Sequence, residues 1–175
     1  AFVHKCNGEV MDRCFSVVIG NGECLAGIRT VEILEVKDAE GSEAYEKCLS
    51  IKNPDYDFNT EFSSFALVVN GIRIMCKGAN WVPCEPFANG NTDAKVTRLL
   101  EMAKTAGVNM LRVWGGGDFE TEHFYDECSR LGIMVTQDFL MACARYPEDE
   151  KWFLNQLEKE AEYAVDFLRN KACLV

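Results

Sequence analysis

Hydrophobic positions along this chain follow two different periods. In the first part they come as short apolar runs and alternations. Arg13 to Ile19 is apolar and β-branched, and Gly20-Asn21-Gly22 after it is a turn signal, because Asn and Gly tolerate positive φ. Ile28 to Val36 interleaves Ile28, Thr30, Glu32, Leu34 and Val36 with Arg29, Val31, Ile33 and Glu35, which predicts a strand. Asp38 to Glu61 is polar and acidic, contains Pro54, and reads as a long loop or insertion. Phe65 to Val69 and Ile72 to Cys76 flank Asn70-Gly71, the strongest hairpin signal in the chain.

After residue 76 the period lengthens. Lys77 to Val82 predicts a short strand. Thr92 can cap a helix whose Val96, Leu99, Leu100 and Ala103 fall at helical spacing, with Gly107 as its stop. Asn109 to Trp114 predicts a strand. Glu120 to Leu131 predicts a helix with Phe124, Cys128 and Leu131 on one face and Gly132 after it. Ile133 to Phe139 is a further strand. Asp149 to Asn170 is a long helix with Leu154, Leu157, Ala161, Ala164, Val165 and Leu168 as its buried stripe, and Ala172 to Val175 begins another strand. This alternation is the rhythm of a parallel sheet with crossover helices. The expectation is a mixed fold: antiparallel β over residues 1–76, then α/β over 77–175, with the switch near Gly78. Periodicity alone leaves two parallel architectures open. One is a closed barrel, which needs about 250 residues; the other is a doubly wound open sheet, which fits the available length.

Composition narrows the partners. The chain has 175 residues, 48% hydrophobic and 26% charged, as in a soluble globular protein. Its net charge of −10 argues against nucleic acid, which requires clustered Lys and Arg. No apolar run approaches the roughly 20 residues that span a bilayer, so no membrane partner is expected. The start shows no signal-peptide pattern, and a chain opening on Ala1 rather than Met reads as part of something longer. Nine cysteines are scattered without a Cys-x-x-Cys, and His4 and His123 are far apart, so neither a metal nor another cofactor is expected. Cys76 and Cys173 lie in apolar runs and read as buried thiols. So many unpaired-looking thiols point to a reducing compartment such as the cytoplasm.

In either parallel architecture the carboxyl ends of the strands carry the site. Here those ends read Asn80-Trp81-Val82-Pro83-Cys84-Glu85, then Arg112-Val113-Trp114-Gly115-Gly116-Gly117-Asp118, then Gln137-Asp138-Phe139. Amides, Arg and carboxylates hydrogen-bond hydroxyl groups in fixed geometry, and an aromatic ring offers an apolar face to the C–H face of a sugar. That mix suits carbohydrate. Each residue also has a purely structural reading. Trp81 and Trp114 can be core aromatics, Arg112 can serve a structural ion pair, and Asp138 can cap a loop. Gly115-Gly116-Gly117 lacks the spacing of a phosphate loop and reads as a flexible turn giving ligand access. Glu148-Asp149-Glu150 favours a helix dipole, and His123 reads as a surface or partly packed helix residue.

Longer motifs carry a family resemblance. FALVVNGIRIMCKGANWVP (Phe65 to Pro83), NMLRVWGGGDFE (Asn109 to Glu120), HFYDECSRLGIMVTQDFLMACARYP (His123 to Pro147) and AGIRTVEI (Ala26 to Ile33) resemble segments of β-mannosidases of glycoside hydrolase family 2. The run Leu111 to Gly117 is specific to that branch rather than to the β-galactosidases or β-glucuronidases. The resemblance implies the C-terminal part of an immunoglobulin-like sandwich over 1–76, then the first half of a TIM-type (β/α)₈ barrel over 77–175, truncated at its fourth strand. It implies a retaining exo-hydrolase of terminal β-linked mannose, whose two catalytic carboxylates stand about 5–5.5 Å apart. Both are glutamates expected beyond Val175, so no catalytic residue is nominated and the piece is expected to be inactive alone.

By the same resemblance Trp114 lines the terminal-sugar subsite, and Arg112 lies near the nucleophile, where its charge favours the ionised carboxylate. Asn80, Trp81 and Asp138 occupy strand-end positions in or just behind the pocket. Glu85, Thr136, Lys171 and Ala172 depart from the family's usual residues. Two alternatives stay open: a family 2 hydrolase of another β-sugar (galactose, glucuronic acid or glucosamine), or a non-catalytic carbohydrate-binding remnant. Open sheet edges predict self-association.

Overall fold

The computed structural model describes residues 13–19, 22–51, 62–87 and 90–175; the Gly20-Asn21 part of the first turn signal lies outside them. The chain divides into two compact units, one of Thr30–Met75 and one combining Ala1–Arg29 with Cys76–Val175. The sequence draws one boundary, near residue 77. A second break falls at Arg29 and Thr30, inside the expected strand Ile28 to Val36, which is two strands: β2 (Gly22–Ile28) and β3 (Val31–Lys37).

In the smaller unit β3 pairs antiparallel with β4 (Ser63–Val69), which pairs with β5 (Ile72–Ile74). The β4–β5 turn is the one expected. Asn70 and Gly71 sit at φ 51° and 77°, the left-handed conformations that a two-residue hairpin of this hand requires. Asn70 also holds the start of β3, accepting from the Thr30 N–H through Oδ1 at 3.0 Å and donating its own N–H to the Thr30 carbonyl at 3.0 Å. The acidic stretch read as a loop contains a helix, α1 (Glu43–Ile51). Ser42 caps it, its Oγ accepting from the Tyr45 N–H at 3.2 Å, and Glu43 and Glu46 face the positive end of the dipole. Acidic composition concealed a capped helix start.

In the larger unit β1 (Arg13–Ile19) and β2 form an antiparallel hairpin, Ile19 opposite Gly22. Its end packs on the chain's last residues: Gly27 lies against Ala172, and Arg29 Nη2 reaches the Lys171 carbonyl at 3.5 Å. The parallel part consists of β6 (Gly78–Trp81), α2 (Asp93–Thr105), β7 (Met110–Val113), α3 (Glu122–Leu131), β8 (Met134–Gln137) and α4 (Lys151–Leu168). The sheet order is β6-β7-β8, and Leu174 adds an isolated parallel bridge to Val135 of β8.

Local signals set these elements. Thr92 Oγ1 accepts from the Lys95 N–H, and Gly132 closes α3 at φ 66°. Side chains alternate across the sheet. Leu111, Val113 and Val135 face the helices and bury against Val96 and Leu100 of α2 and Phe124, Tyr125 and Cys128 of α3. On α4 four of the six stripe residues face inward, Ala164 and Leu168 buried and Leu157 and Ala161 half-buried, whereas Leu154 and Val165 are exposed and Phe153 and Phe167 are half-buried. Residues one position apart on a 3.6-residue period differ by about 100°, enough to take a side chain off the buried stripe. Cys173 is buried as expected; Cys76 is exposed, because β5 ends at Ile74 and leaves it in a connection. Cys84 and Cys143 are thiols, as are Cys48 and Cys128. No helix among the described residues is long and apolar enough to cross a membrane.

Candidate sugar-binding site

Register brings the nominated polar residues together. Asn80, Arg112 and Thr136 form one row across β6, β7 and β8, and Trp81, Val113 and Gln137 form the next. Alternation puts the first row on the sheet face away from the helices, and the second toward them. Arg112 makes a two-pronged ion pair with Asp138, Nε to Oδ1 at 3.1 Å and Nη2 to Oδ2 at 2.6 Å. Its Nη1 donates to Asn80 Oδ1 at 3.3 Å. The Gly115 N–H adds a third donor to Asp138, at 3.2 Å from Oδ2. Three successive strand ends are thus tied through one guanidinium, whose planar fork matches the carboxylate. The pair is open to solvent, with side-chain exposures of 49% for Arg112 and 29% for Asp138, so a ligand's hydroxyls can reach its remaining donors and acceptors.

The two tryptophans occupy different environments. Trp81 is buried on the helix side, its ring 5.0 Å from that of Phe124, and its indole N–H donates to Glu120 Oε1 at 2.8 Å. Trp114 is half-buried just past β7, its N–H donating to the Trp81 carbonyl at 3.0 Å. Trp114 is therefore the one of the two with a ring surface left for a ligand.

The glycine triplet forms the expected turn, the Gly117 N–H donating to the Trp114 carbonyl at 3.0 Å, and its glycines approach their neighbours closely. A Cβ on Gly115 would overlap the Phe139 carbonyl, one on Gly116 the tip of the Trp114 ring, and one on Gly117 would lie 2.8 Å from Pro83 Cδ. Each glycine thus faces a different neighbour: a backbone carbonyl, the outer ring of Trp114 and a proline ring.

Glu120 escaped the sequence reading, which placed it only as the first residue of a helix that in fact starts at Glu122. It is a buried carboxylate, and burial pushes its proton affinity above the usual glutamate range, outweighing the Trp81 hydrogen bond that lowers it. The signal available was an acid directly after Phe119 and ahead of the Thr121 cap. Tyr125 was missed too. Its phenol is held protonated by burial and donates to Gln137 Oε1 at 2.6 Å, while Gln137 Nε2 donates to the Asp138 carbonyl at 2.9 Å. This ties the core side of β8 to the main chain of Asp138.

The departing residues are engaged elsewhere. Glu85 pairs with Lys95, whose Nζ also donates to the Cys84 carbonyl at 3.0 Å, closing the β6–α2 loop. Lys171 bonds Glu122 at 2.6 Å, which holds that carboxyl below its ordinary range, first through the hydrogen bond and then through charge. Thr136 lies half-buried next to Arg112 in the row. His123 shares a hydrogen bond with Thr97 at 2.8 Å. Beyond Asp138 a cleft of about 230 Å³ opens, lined by Phe119, Gln137, Asp138, Phe139, Leu168 and Leu174. Among the described residues no group of three or more His, Cys, Asp or Glu side chains is placed to hold a metal ion.

An Arg-centred polar row with an aromatic at the strand ends offers groups that suit carbohydrate, and comparison with known proteins narrows the class. The chain belongs to glycoside hydrolase family 2. Within it, the branch is that of the β-mannosidases. The chain is 40% identical over 117 residues to the β-mannosidase of Bos taurus, an alignment covering 67% of this chain and 13% of that protein. Its fold matches the crystal structure of a β-D-mannosidase from Dictyoglomus thermophilum with a TM-score of 0.72 and 41% identity, covering 90% of this chain and 17% of that one. A β-glucuronidase of Parabacteroides merdae shares the fold alone, at TM-score 0.56 and 19% identity over 71% of this chain and 16% of that one. No family model matches the chain.

Proposed function

We propose that this chain is a segment of a retaining exo-β-mannosidase, and that it supplies part of the pocket for the terminal mannose but not the catalytic pair. In this reading residues 1–76 end an immunoglobulin-like domain and 77–175 open a (β/α)₈ barrel. The open face of β6-β7-β8 then becomes part of the barrel interior, and its strand ends the floor of the active site. Trp114 stacks on the sugar. Arg112, with Asn80 and Asp138, fixes its hydroxyls and places a positive charge beside the reacting centre, while Trp81 supports the floor from behind.

The observation that carries the reading is the Arg112–Asp138–Asn80 cluster on adjacent strand ends, within a chain that is 41% identical to a β-D-mannosidase of known structure. Three carboxylates of the strand-end segments are engaged, Asp138 by Arg112, Glu120 by Trp81 and Glu85 by Lys95. This supports placing the acid/base and the nucleophile on other strands. The same reading has the sheet edges and the exposed apolar residues of α4 covered in the whole protein, and makes them a route to self-association when the piece is isolated. It keeps the cytoplasm as the protein's compartment.

The test is a panel of p-nitrophenyl β-glycosides with the full-length protein. Hydrolysis of the mannoside at least tenfold faster, in kcat/KM, than of the galactoside, glucuronide or glucosaminide is expected. Preference for one of the others would move the protein to another family 2 specificity.

A further inference from the structure

Gly116 is where the chain leaves room for the outer ring of Trp114. A Cβ built on it would overlap Trp114 at Cη2, Cζ2 and Cζ3, all atoms of the indole's six-membered ring. Its neighbours meet different obstacles: Gly115 abuts the Phe139 backbone carbonyl, and Gly117 abuts Pro83. Only at Gly116 is the obstructing group the far end of a side chain that can swing away. A methyl there displaces the ring, and the backbone has no reason to move. The ring is fixed at its other end, because the Trp114 N–H is bonded to the Trp81 carbonyl at 3.0 Å and the Gly117 N–H closes back on the Trp114 carbonyl at 3.0 Å. With the backbone pinned, side-chain rotation is the freedom left, and Gly116 limits it from one side.

We infer that Gly116 is a positioning residue: by letting the Trp114 ring lie back over its own loop, it sets the plane on which a sugar ring stacks. This rests on the proposed role of Trp114 in binding the terminal sugar. Stacking depends on the inclination and height of the aromatic face, and a misplacement of about 1 Å in a binding group can cost up to about a hundredfold in rate. Gly116 thereby acts on the substrate only through Trp114, which makes the two positions non-additive.

The experiment is a double-mutant cycle in the full-length protein, using Gly116→Ala, Trp114→Phe and the pair, with kcat and KM measured on p-nitrophenyl β-mannoside. Thermal melting and a crystal structure of Gly116→Ala accompany the kinetics. Phenylalanine lacks the indole's outer ring, so the double variant has no overlap to relieve. Expected are a tenfold to hundredfold loss of kcat/KM in Gly116→Ala, mainly through KM, a displaced indole, and a double variant no worse than Trp114→Phe alone. Gly115→Ala, which meets backbone, is expected to lower the melting temperature where Gly116→Ala does not.

Unchanged kinetics in Gly116→Ala, or losses that multiply in the double variant, would overturn the inference while leaving the role of Trp114 intact. So would a folding defect in Gly116→Ala that Trp114→Phe does not relieve. If Trp114→Phe itself leaves kcat/KM unchanged, the stacking role of Trp114 fails, and the inference with it.

Discussion

The Asp138 carboxylate receives three hydrogen bonds, two from Arg112 and one from the Gly115 N–H, and the guanidinium's other side-chain contact, to Asn80 Oδ1 at 3.3 Å, carries no charge. Asp138→Ala in the full-length protein should release Arg112 from its fixed orientation and lower kcat/KM by about a hundredfold, the scale of a misplaced binding group. Asp138→Asn, which keeps the shape but loses the charge-assisted pair, should fall between. Loss of folding is not expected, because the pair is solvent-exposed and such pairs contribute about 0–1 kcal/mol.

Glu120 is the opposite case, a buried acid whose role is structural. Its proton is held more tightly in the folded chain than in the unfolded one, because burial penalises the charged form. The stability it contributes is thus fully present below the ordinary glutamate pKa of about 4.3 and is lost as pH rises through the raised folded value. Glu120→Gln keeps an acceptor for the Trp81 N–H but cannot ionise. The difference in melting temperature between wild type and Glu120→Gln should shift in favour of the variant as pH rises through that window, and a pH-independent difference would contradict the assignment. Glu122, held low by Lys171, has the reverse sign: its contribution is present above the ordinary range and lost as pH falls through the lowered folded value.

At the scale of elements, the helical period makes a sharp distinction. Leu100 is fully buried on α2, and Met102, two residues on, is 57% exposed. Leu100→Ala should cost about 2–5 kcal/mol, and Met102→Ala under about 0.5 kcal/mol, read as shifts in the denaturant midpoint.

How far the sequence was legible follows from which signals were local. The Asn70-Gly71 hairpin, the Thr92 cap and the strand-helix rhythm after residue 77 depend on neighbouring residues, and the structure has them as expected. Helix α1 was lost because its acids resemble a solvated loop. The break at Arg29 and Thr30 was lost because alternation continues straight through it. Within the α4 stripe only Leu154 and Val165 fall outside, because Leu154 and Phe153 are both apolar and only packing chooses between them. At the site, the strand-end motifs flagged Asn80, Arg112, Trp114 and Asp138. No spacing rule could tell that Arg112 and Asp138, 26 residues apart, would meet through register, or that Trp81 would turn inward to Glu120.

At the scale of the whole molecule, the chain spans 13% of the bovine relative and 17% of the bacterial β-D-mannosidase it matches, so what it exposes has to be read with the remainder in view. The larger unit presents Phe139, Met141, Trp152, Leu154 and Val165 to solvent, together with the edge of β6. Apolar area of this kind and unpaired strand edges favour association. Light scattering of the isolated 175-residue chain should show a mass that rises with concentration, and a constant monomer mass across a hundredfold dilution series would contradict it.

In the proposed function this chain builds sugar-binding strand ends of a β-mannosidase without its catalytic pair. That reading is tested most directly by assaying p-nitrophenyl β-mannoside hydrolysis by the full-length protein and by residues 1–175 side by side. Turnover by the full-length protein and none by the piece is the expected result. Turnover by the piece would contradict it, placing the catalytic carboxylates within these residues, with Asp138 and Glu85 the first to be substituted.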